Sequence, residues 1–250
     1  MDDRRDVEMS IYYYTGIQVR NDRVRKIEDR VIREERFRLY LNGSFYTEMV
    51  ASNEQLRELG AGFVICQGLA RTVDNVETDG NCINVSAPVN REPEKELGSA
   101  GALGTKVLPE RIASEYTITK EDVFRITREI ETDVWKQTGG VHCSVLFHEG
   151  NLLVKSSDVG RHNTVDKVVG HAVLSGIDLS RCVVGCTGRQ PRDMILKSGR
   201  AGIPIIISRA ASTDKGIATA EEAGITLVCF SRDERFTVYT HPRRIRDLMD

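Results

Sequence analysis

The chain has 250 residues, enough for one large or two ordinary domains, and 40% of them are hydrophobic, which is sufficient to bury a core. Lys and Arg number 35 against 37 Asp and Glu, so the overall charge does not favour a nucleic-acid-binding surface. The cysteines show no C-x-x-C spacing, no secretory signal precedes them, and no apolar run approaches the roughly 20 residues of a membrane span, so we expect a cytoplasmic protein with reduced thiols and no membrane partner.

The first part of the chain is predicted to form strands and one helix. Charged residues 1–10 are expected to be disordered, and strands are expected from 11 to 50, with a hairpin turn at Asn42-Gly43. Asn53 is expected to cap a helix whose apolar residues recur at helical spacing as far as Gly68. Two further strands are expected near residues 72–77 and 81–87.

A change of composition between Pro88 and Pro109 predicts a linker. We therefore expect an α+β N-terminal domain of residues 11–110 and an α/β domain of residues 111–250. Thr119 and Asp122 form a capping box at the start of a long amphipathic helix that should end at Thr138-Gly-Gly140. Strands then alternate with helices, which predicts a three-layer α/β sheet, largely parallel after its first hairpin. Its strands are expected at 141–147, 151–156, 181–186, 203–208, 225–230 and 236–240, and its helices at 163–175, 190–201 and 213–223.

Two polar turns each follow a strand and open a helix in this predicted sheet. The first runs from Asp158 to Asp166 and the second from Thr187 to Asp193. A helix N-terminus offers free N–H groups and a partial positive charge, so Gly-Arg beside it can bind an anion. The alternative is structural: Asn163 caps the helix while Asp158 pairs with a neighbouring arginine. The residues that we expect to bind a phosphate-bearing ligand in these turns are Gly160, Arg161, His162, Asn163, Gly188 and Arg189.

The next two strand ends also carry arginines and hydroxyl groups. The first of them has Arg209, Ser212 and Thr213, and the second has Ser231, Arg232 and Arg235. The planar guanidinium of arginine suits bidentate phosphate contacts, although a solvated charged face would explain the same composition. Ligands of such sheets bind beyond the carboxyl ends of the strands, and all four groups are expected there.

Metal and thiol chemistry fit the sequence less well. His162 lacks the following glutamate of an H-x-E motif, the second turn lacks P-C-x-x-C, and we expect no zinc. Cys143 shares its predicted strand face with apolar residues, which is more typical of a core cysteine than of a nucleophile. A hydrolytic role for His162 with Asp166 is a further hypothesis.

The motifs taken together resemble the FdhD family, the formate dehydrogenase accessory proteins, from about residue 27 to the end of the chain. This resemblance implies a cytidine-deaminase-like C-terminal domain without zinc, a cytoplasmic location and a homodimer. The matching segments are Asn42-Gly43, 56–68, 138–142, 158–163 with 165–167, Gly188-Arg189, Met194 with Lys197, 201–204, and 226–228 through Phe230 to 239–240.

The resemblance also implies a function. Members of the family carry sulfur from a cysteine desulfurase to the molybdenum bis(molybdopterin guanine dinucleotide) cofactor, which is then inserted into formate dehydrogenase. The implied partners are therefore formate dehydrogenase, a cysteine desulfurase and this guanine-nucleotide cofactor. The segment that the family assigns to cofactor binding corresponds here to Phe230, Ser231, Arg232, Asp233, Glu234 and Arg235.

The chain departs from the family at the C-G-x-C motif, whose first cysteine takes the persulfide. Ala100 and Leu103 stand at the two cysteine positions, and neither side chain can form a thiolate. Two hypotheses follow: a protein that binds the cofactor and supports its sulfuration and delivery, with Cys143 as the first thiol to test, or a cofactor-binding chaperone or scaffold without sulfur transfer.

Overall fold

The computed structural model describes residues 11–89, 95–97, 103–105 and 107–248. The predicted disorder of residues 1–10 and the position of Ala100 lie outside the described residues. Within these ranges, no helix is both long enough and apolar enough to cross a membrane.

The N-terminal strands form two separate sheets. Strands β1 (Ile11–Arg20) and β2 (Arg23–Ile32) pair with each other as an antiparallel hairpin. Strands β3 (Glu35–Leu41) and β4 (Ser44–Ala51) form a second hairpin, and its predicted turn at Asn42-Gly43 is confirmed. With β5 (Asn75–Asp79) and β6 (Cys82–Ser86) they make a four-stranded sheet of order β4-β3-β6-β5. Short strands β7 (Lys95–Leu97) and β8 (Leu103–Thr105) then pair with each other.

The first helix, α1 (Leu56–Cys66), is present, but the prediction that Asn53 caps it is wrong. The residue before its first turn is Gln55, whose backbone is left-handed with φ of 53° and whose side chain forms no capping hydrogen bond. The helix therefore begins two residues later than the prediction requires, and the side chain of Asn53 is not at the capping position.

The helix predicted from Thr119 to Thr138 is two helices. The capping box of Thr119 and Asp122 is confirmed at the start of α2 (Lys120–Glu129). The hydroxyl of Thr132 accepts a hydrogen bond from the N–H of Trp135 and so begins α3 (Asp133–Thr138), which Gly139 ends with φ of 62°. A threonine that caps a new helix interrupts the old one, because its hydroxyl offers the backbone an alternative partner.

A six-stranded sheet forms the centre of residues 142–240. In their order across the sheet, its strands are β11 (Asn151–Asp158), β10 (His142–His148), β12 (Cys182–Cys186), β13 (Ile205–Ser208), β14 (Thr226–Arg232) and β15 (Arg235–Thr240). Its central neighbours β12, β13 and β14 are parallel, whereas the pairings on either side are antiparallel. The predicted parallel arrangement is thus confirmed for three strands only. These three are parallel because a helix connects each one to the next. The helices of this part are α4 (Arg161–Leu174), α5 (Arg192–Arg200) and α6 (Asp214–Ala223). A last pair joins β9 (Ile118–Thr119) to β16 (Ile245–Arg246).

Helices cover both faces of this sheet. Val184 and Leu146 pack in a core with α4, α5 and α6, whereas Val183 and Val145 pack in a second core with α2 and α3. A third core lies between α1 and the four-stranded sheet. The arrangement is a mixed α/β fold; its cytidine-deaminase-like assignment and the domain boundary at residue 110 stay predictions.

Helices α1 and α4 touch at two glycines. A Cβ atom on Gly62 would lie 1.7 Å from the carbonyl oxygen of Asp166, and one on Gly170 would lie 1.9 Å from that of Glu58. Only residues without a side chain allow two backbones to approach so closely. This contact fixes α4, and hence the turn at its N-terminus, against the N-terminal part of the chain.

Candidate functional site at the strand ends

The polar turns lie together along one edge of the six-stranded sheet. Strands β11, β12, β13 and β14 run in the same direction, so all four end at this edge. Backbone hydrogen bonds link the neighbouring ends, from Thr187 N to Cys143 O, from Arg209 N to Cys186 O and from Phe230 N to Ala210 O. The structure thus brings together the four polar segments that the sequence placed at strand ends.

Asp158 organises the first turn from a buried position. Its Oδ1 accepts hydrogen bonds from Gly160 N at 2.9 Å and from Asn163 Nδ2 at 2.8 Å. Its Oδ2 accepts from Lys167 Nζ at 2.6 Å and from Ser52 Oγ at 3.1 Å. The carboxylate therefore holds the turn in shape and is fully engaged by the protein.

The capping role that the structural alternative gives to Asn163 is not observed, whereas its pairing of Asp158 with Arg161 stays a prediction. Gly160 occupies the N-cap position of α4, and no side chain forms a capping hydrogen bond there. The side-chain amide of Asn163 donates hydrogen bonds to Asp158 and to the carbonyl oxygen of Val50, and Asp158 forms an ion pair with Lys167. Asn163 thus ties the turn to the end of β4, and its side chain does not cap α4.

A second buried ion pair involves Asp166, the residue before Lys167 on α4. Lys197 of α5 donates to both carboxylate oxygens of Asp166 at 2.7 Å, and the two side chains are 4% and 1% exposed. With both oxygens bonded to Lys197 and the side chain buried, Asp166 is not accessible to a substrate. This geometry does not support hydrolysis by His162 and Asp166.

The two turns contact each other where α4 and α5 begin. Gly188 faces Arg161 so closely that a Cβ atom would lie 3.1 Å from Arg161 Cβ. His162 Nε2 lies 3.4 Å from Asp193 Oδ2. Burial, together with the positive charge of Lys197, lowers the pKa of His162 to about 3, so its imidazole is neutral at neutral pH.

His142 completes this junction at the start of β10. Its Nδ1 lies 3.4 Å from the hydroxyl of Thr187. Burial, and then the charge of Arg161, lowers its pKa as well. Two neutral imidazoles beside one guanidinium leave the junction with donors and acceptors for a polar ligand but without an acid that ionises near pH 7.

The second turn presents Arg189 to solvent on a fixed backbone. The amide of Gln190 donates to the carbonyl oxygen of Gly188 at 2.9 Å, and the hydroxyl of Ser208 donates to the same oxygen at 2.7 Å. These bonds fix the Gly188 backbone, while the side chain of Arg189 is exposed. A rigid turn that presents an exposed arginine is suited to an anionic ligand.

Several polar side chains that the sequence suggested as ligand contacts are used inside the protein. Arg209 forms an ion pair with Glu131 at 3.1 Å, and Ser231 is buried with its hydroxyl 2.5 Å from that of Thr127. Ser212 donates to Gln190 O, and Thr213 caps α6. The hydroxyls at the third and fourth strand ends therefore stabilise the edge itself.

The last strand end carries an unusual aromatic residue. Phe230 has φ of 53°, a conformation that bulky side chains rarely adopt, and it lies within a register shift between β14 and β15. The residue is 37% exposed. Strained residues cluster at functional sites, so this position is a candidate contact for a planar ligand group. The neighbouring side chains Arg232, Asp233, Glu234 and Arg235 are all exposed.

Of the six cysteines, five are buried. Cys143 is fully buried, with its Sγ 3.2 Å from Thr132 Oγ1, so the proposed reactivity of this thiol stays a prediction that requires the protein to open. Burial raises the pKa of Cys182 and Cys229 to about 12 and that of Cys186 to about 11, which keeps these thiols protonated. Cys82, at the start of β6, is the one that is partly exposed.

A metal centre has no candidate among the residues that the structure describes, because no three His, Cys, Asp or Glu side chains are grouped there. The edge instead combines a neutral histidine junction, an exposed arginine on a rigid turn and an exposed aromatic ring. This donor set suits phosphate and a planar base rather than a cation.

Comparison with known proteins decides the family. The family model described as FdhD/NarQ matches residues 32–246. The chain belongs to the FdhD/NarQ family. It is 35% identical to the sulfur carrier protein FdhD of Wolinella succinogenes, over 87% of this chain and 83% of that protein. It is also 35% identical to protein FdhD of Methanocaldococcus jannaschii, over 87% and 91% of the two chains.

A solved FdhD-type structure agrees with this fold. The crystal structure described as a putative formate dehydrogenase accessory protein from Desulfotalea psychrophila superposes with a TM-score of 0.83 at 30% identity. The superposition covers 94% of this chain and 99% of that one. The matched family region contains the whole strand-end edge, whereas most of the β1–β2 hairpin precedes it.

Proposed function

We propose that this FdhD-family chain is a formate dehydrogenase accessory protein that binds the molybdenum bis(molybdopterin guanine dinucleotide) cofactor as cargo at the strand-end edge, supports its sulfuration and delivers it to formate dehydrogenase. A cysteine desulfurase is the proposed sulfur source, and the cytoplasm is the proposed location. The observation that carries the binding proposal is the exposure of Phe230 and of residues 232–235 beside the rigid Gly188-Arg189 turn.

The exposed side chains divide into two roles in this proposal. Arg189, Arg232 and Arg235 bind phosphate oxygens, since a guanidinium can donate two parallel hydrogen bonds to one phosphate. The ring of Phe230 stacks on the guanine base, as aromatic side chains do on nucleotide bases. The carboxylates of Asp233 and Glu234 accept hydrogen bonds from the guanine amino group, a donor that adenine lacks at that position.

The junction of the two turns has a supporting role. The N-terminus of α4, with Gly160 at its N-cap and Arg161 beside Gly188, provides backbone N–H groups and a positive charge for a second anionic group. His162 and Asn163 shape this end of the edge, since Asn163 is held by Asp158 and His162 lies against Asp193. A dinucleotide has more than one phosphate, which is consistent with two such places.

A second candidate function is a cofactor-binding chaperone or scaffold with no sulfur transfer of its own. It is favoured by the thiols: Ala100 and Leu103 replace the family cysteines, and five of the six cysteines present are buried. Because Cys82 lies in the four-stranded sheet rather than at the strand-end edge, no accessible thiol adjoins the proposed cofactor site. If the protein is a chaperone or scaffold, the sulfur comes from the desulfurase or from another protein.

Nucleotide titration tests the binding site. We expect GDP to bind the wild-type protein in isothermal titration calorimetry more tightly than ADP. Arg189→Ala should weaken GDP binding by about 1.5–3 kcal/mol through the loss of a bidentate phosphate contact. Arg128→Ala, which removes an exposed arginine of α2, is the matched control and should leave the affinity unchanged. Equal affinities for wild type and Arg189→Ala would refute the site assignment.

Persulfide loading separates the two functions. The protein is incubated with a cysteine desulfurase and cysteine, and intact-mass spectrometry measures the added sulfur. The chaperone function predicts no added sulfur, whereas sulfur carriage predicts a persulfide that Cys82→Ser or Cys143→Ser abolishes. An added sulfur that survives each single replacement would exclude Cys82 and Cys143 as its sole carriers.

A further inference from the structure

The strained residue Phe230 is held by contacts on both sides of it in the chain. Its N–H donates to the carbonyl oxygen of Ala210 at 3.0 Å, and its φ of 53° lies in the left-handed region that bulky residues rarely adopt. The next residue, Ser231, is fully buried, whereas Phe230 is exposed. A strained backbone persists only where the surrounding contacts determine it, so the contacts of Ser231 help to fix the position of Phe230.

Ser231 is anchored to helix α2 by a hydrogen bond between two hydroxyl groups. Its Oγ lies 2.5 Å from Oγ1 of Thr127, which is buried on the same face of α2 as Val123 and Ile126. Thr127 Oγ1 donates to the carbonyl oxygen of Val123 at 2.7 Å, and a threonine hydroxyl has only one hydrogen to donate. Ser231 is therefore the donor and Thr127 the acceptor of the bond that joins them.

Helix α2 also contacts the strand that follows the exposed turn. The ring of Phe124 packs edge-on against the ring of Phe236 on β15, with the two ring centroids 5.2 Å apart. Because Ser231 belongs to β14, α2 contacts both of the strands that the turn at residues 233–234 connects. The position of this turn at the strand-end edge thus depends on a helix that carries none of the residues proposed to bind the ligand.

We infer that Thr127 is a positioning residue of the proposed cofactor site: by accepting the hydrogen bond of Ser231, it holds Phe230 where the ring stacks on the guanine base. The inference rests on the proposed function, and Thr127 itself is too deeply buried to touch a ligand. Without this acceptor, the buried hydroxyl of Ser231 would be left unpaired, which is unfavourable. The chain at residues 230–232 would then shift to give that hydroxyl another partner, and the stacking contact would be weakened.

Removal of the acceptor tests this role. Thr127→Val keeps the shape of the side chain but lacks the oxygen, and it should bind GDP about tenfold more weakly than wild type in isothermal titration calorimetry, since aromatic stacking on a base is lost. Thr127→Ser keeps the acceptor and should bind GDP as wild type does. Thr219→Val, on α6, removes another threonine hydroxyl that donates to the carbonyl oxygen four residues earlier, and this matched control should not change the affinity.

A double-mutant cycle tests whether Thr127 acts through Phe230. In a Phe230→Ala background, Thr127→Val should weaken GDP binding no further, because the contact that Thr127 positions is already absent. Urea denaturation of each variant shows that it folds. Ser231→Ala removes the donor instead of the acceptor and leaves no buried N–H or O–H unpaired, so it should weaken GDP binding even if the valine variant fails to fold.

Two results would overturn the inference while the proposed site stands. One is a folded Thr127→Val or Ser231→Ala variant that binds GDP as tightly as wild type, which would leave the hydroxyl pair with a role in stability alone. The other is an equal loss of affinity from Thr127→Val with and without the ring of Phe230. A wild-type protein that binds no GDP would instead refute the proposed binding function, and the inference with it.

Discussion

The two sides of the strand-end edge use charge in opposite ways. On the inner side, Asp158 with Lys167 and Asp166 with Lys197 form buried ion pairs whose oxygens are engaged by the protein. On the outer side, the guanidinium of Arg189 and the segment from Arg232 to Arg235 are exposed. Charged residues that look alike in the sequence therefore divide into a group that shapes the turns and a group that can meet a ligand.

The largest effect should come from breaking an inner ion pair. Lys167→Met leaves the Asp158 carboxylate buried without its cation, which should lower the free energy of unfolding by about 3–5 kcal/mol. The matched change Lys155→Met removes the exposed partner of Glu129 and should cost about 0–1 kcal/mol. Urea denaturation measures both. A similar loss of unfolding free energy in the two variants would show that the buried pair contributes no more to stability than the exposed pair.

A smaller effect should come from forcing α1 and α4 apart. Gly62→Ala places a methyl group against the Asp166 carbonyl, so the helices must separate, with an expected loss of about 1–3 kcal/mol in unfolding free energy. Gly16→Ala, where a Cβ would make only an ordinary contact at 3.8 Å with Ile27, should be nearly neutral. If Gly62→Ala lowered nucleotide affinity without lowering stability, the contact would act on the site rather than on packing.

His162 should change the way in which the unfolding free energy depends on pH. The pKa of His162 is lowered from 6.5 to about 3 in the folded protein, so the unfolded chain binds more protons between these values. Stability due to the neutral imidazole is therefore complete above pH 6.5 and is lost as the pH falls towards 3. In His162→Gln, the unfolding free energy should fall less steeply over this window than in wild type, while the two slopes agree above it. Parallel curves throughout would contradict a buried neutral His162.

Local patterns in the sequence were sufficient for much of the fold. The turn at Asn42-Gly43 and the capping box of Thr119 with Asp122 depend on neighbouring residues alone, and both are present. The strand and helix order after residue 140 also follows from short-range periodicity. The division of the long helix at Thr132 was missed, because a threonine in a helical pattern can either continue the helix or cap a new one.

The structural role of the lysines was the larger omission. Lys167 and Lys197 appeared in the sequence only as parts of a motif, yet they neutralise the two buried aspartates beneath the site. A signal was available in α4, where Asp166 and Lys167 stand between Val165 and Val168 on a helix with little polar surface. Charged residues in an apolar run are expected to be paired when they are buried.

The family and the kinds of side chain at each strand end can be read from the sequence alone, because each is a property of residues close together in the chain. Which of the charged side chains remain accessible depends on how the folded chain packs. Asp158 meets Ser52 across 106 residues, and Arg209 is taken up by Glu131, contacts that arise when distant helices and strands pack. Whether a residue is buried depends on the distant parts of the chain that pack against it. Charged side chains of the same kind can therefore either stabilise the fold from a buried position or remain exposed to a ligand.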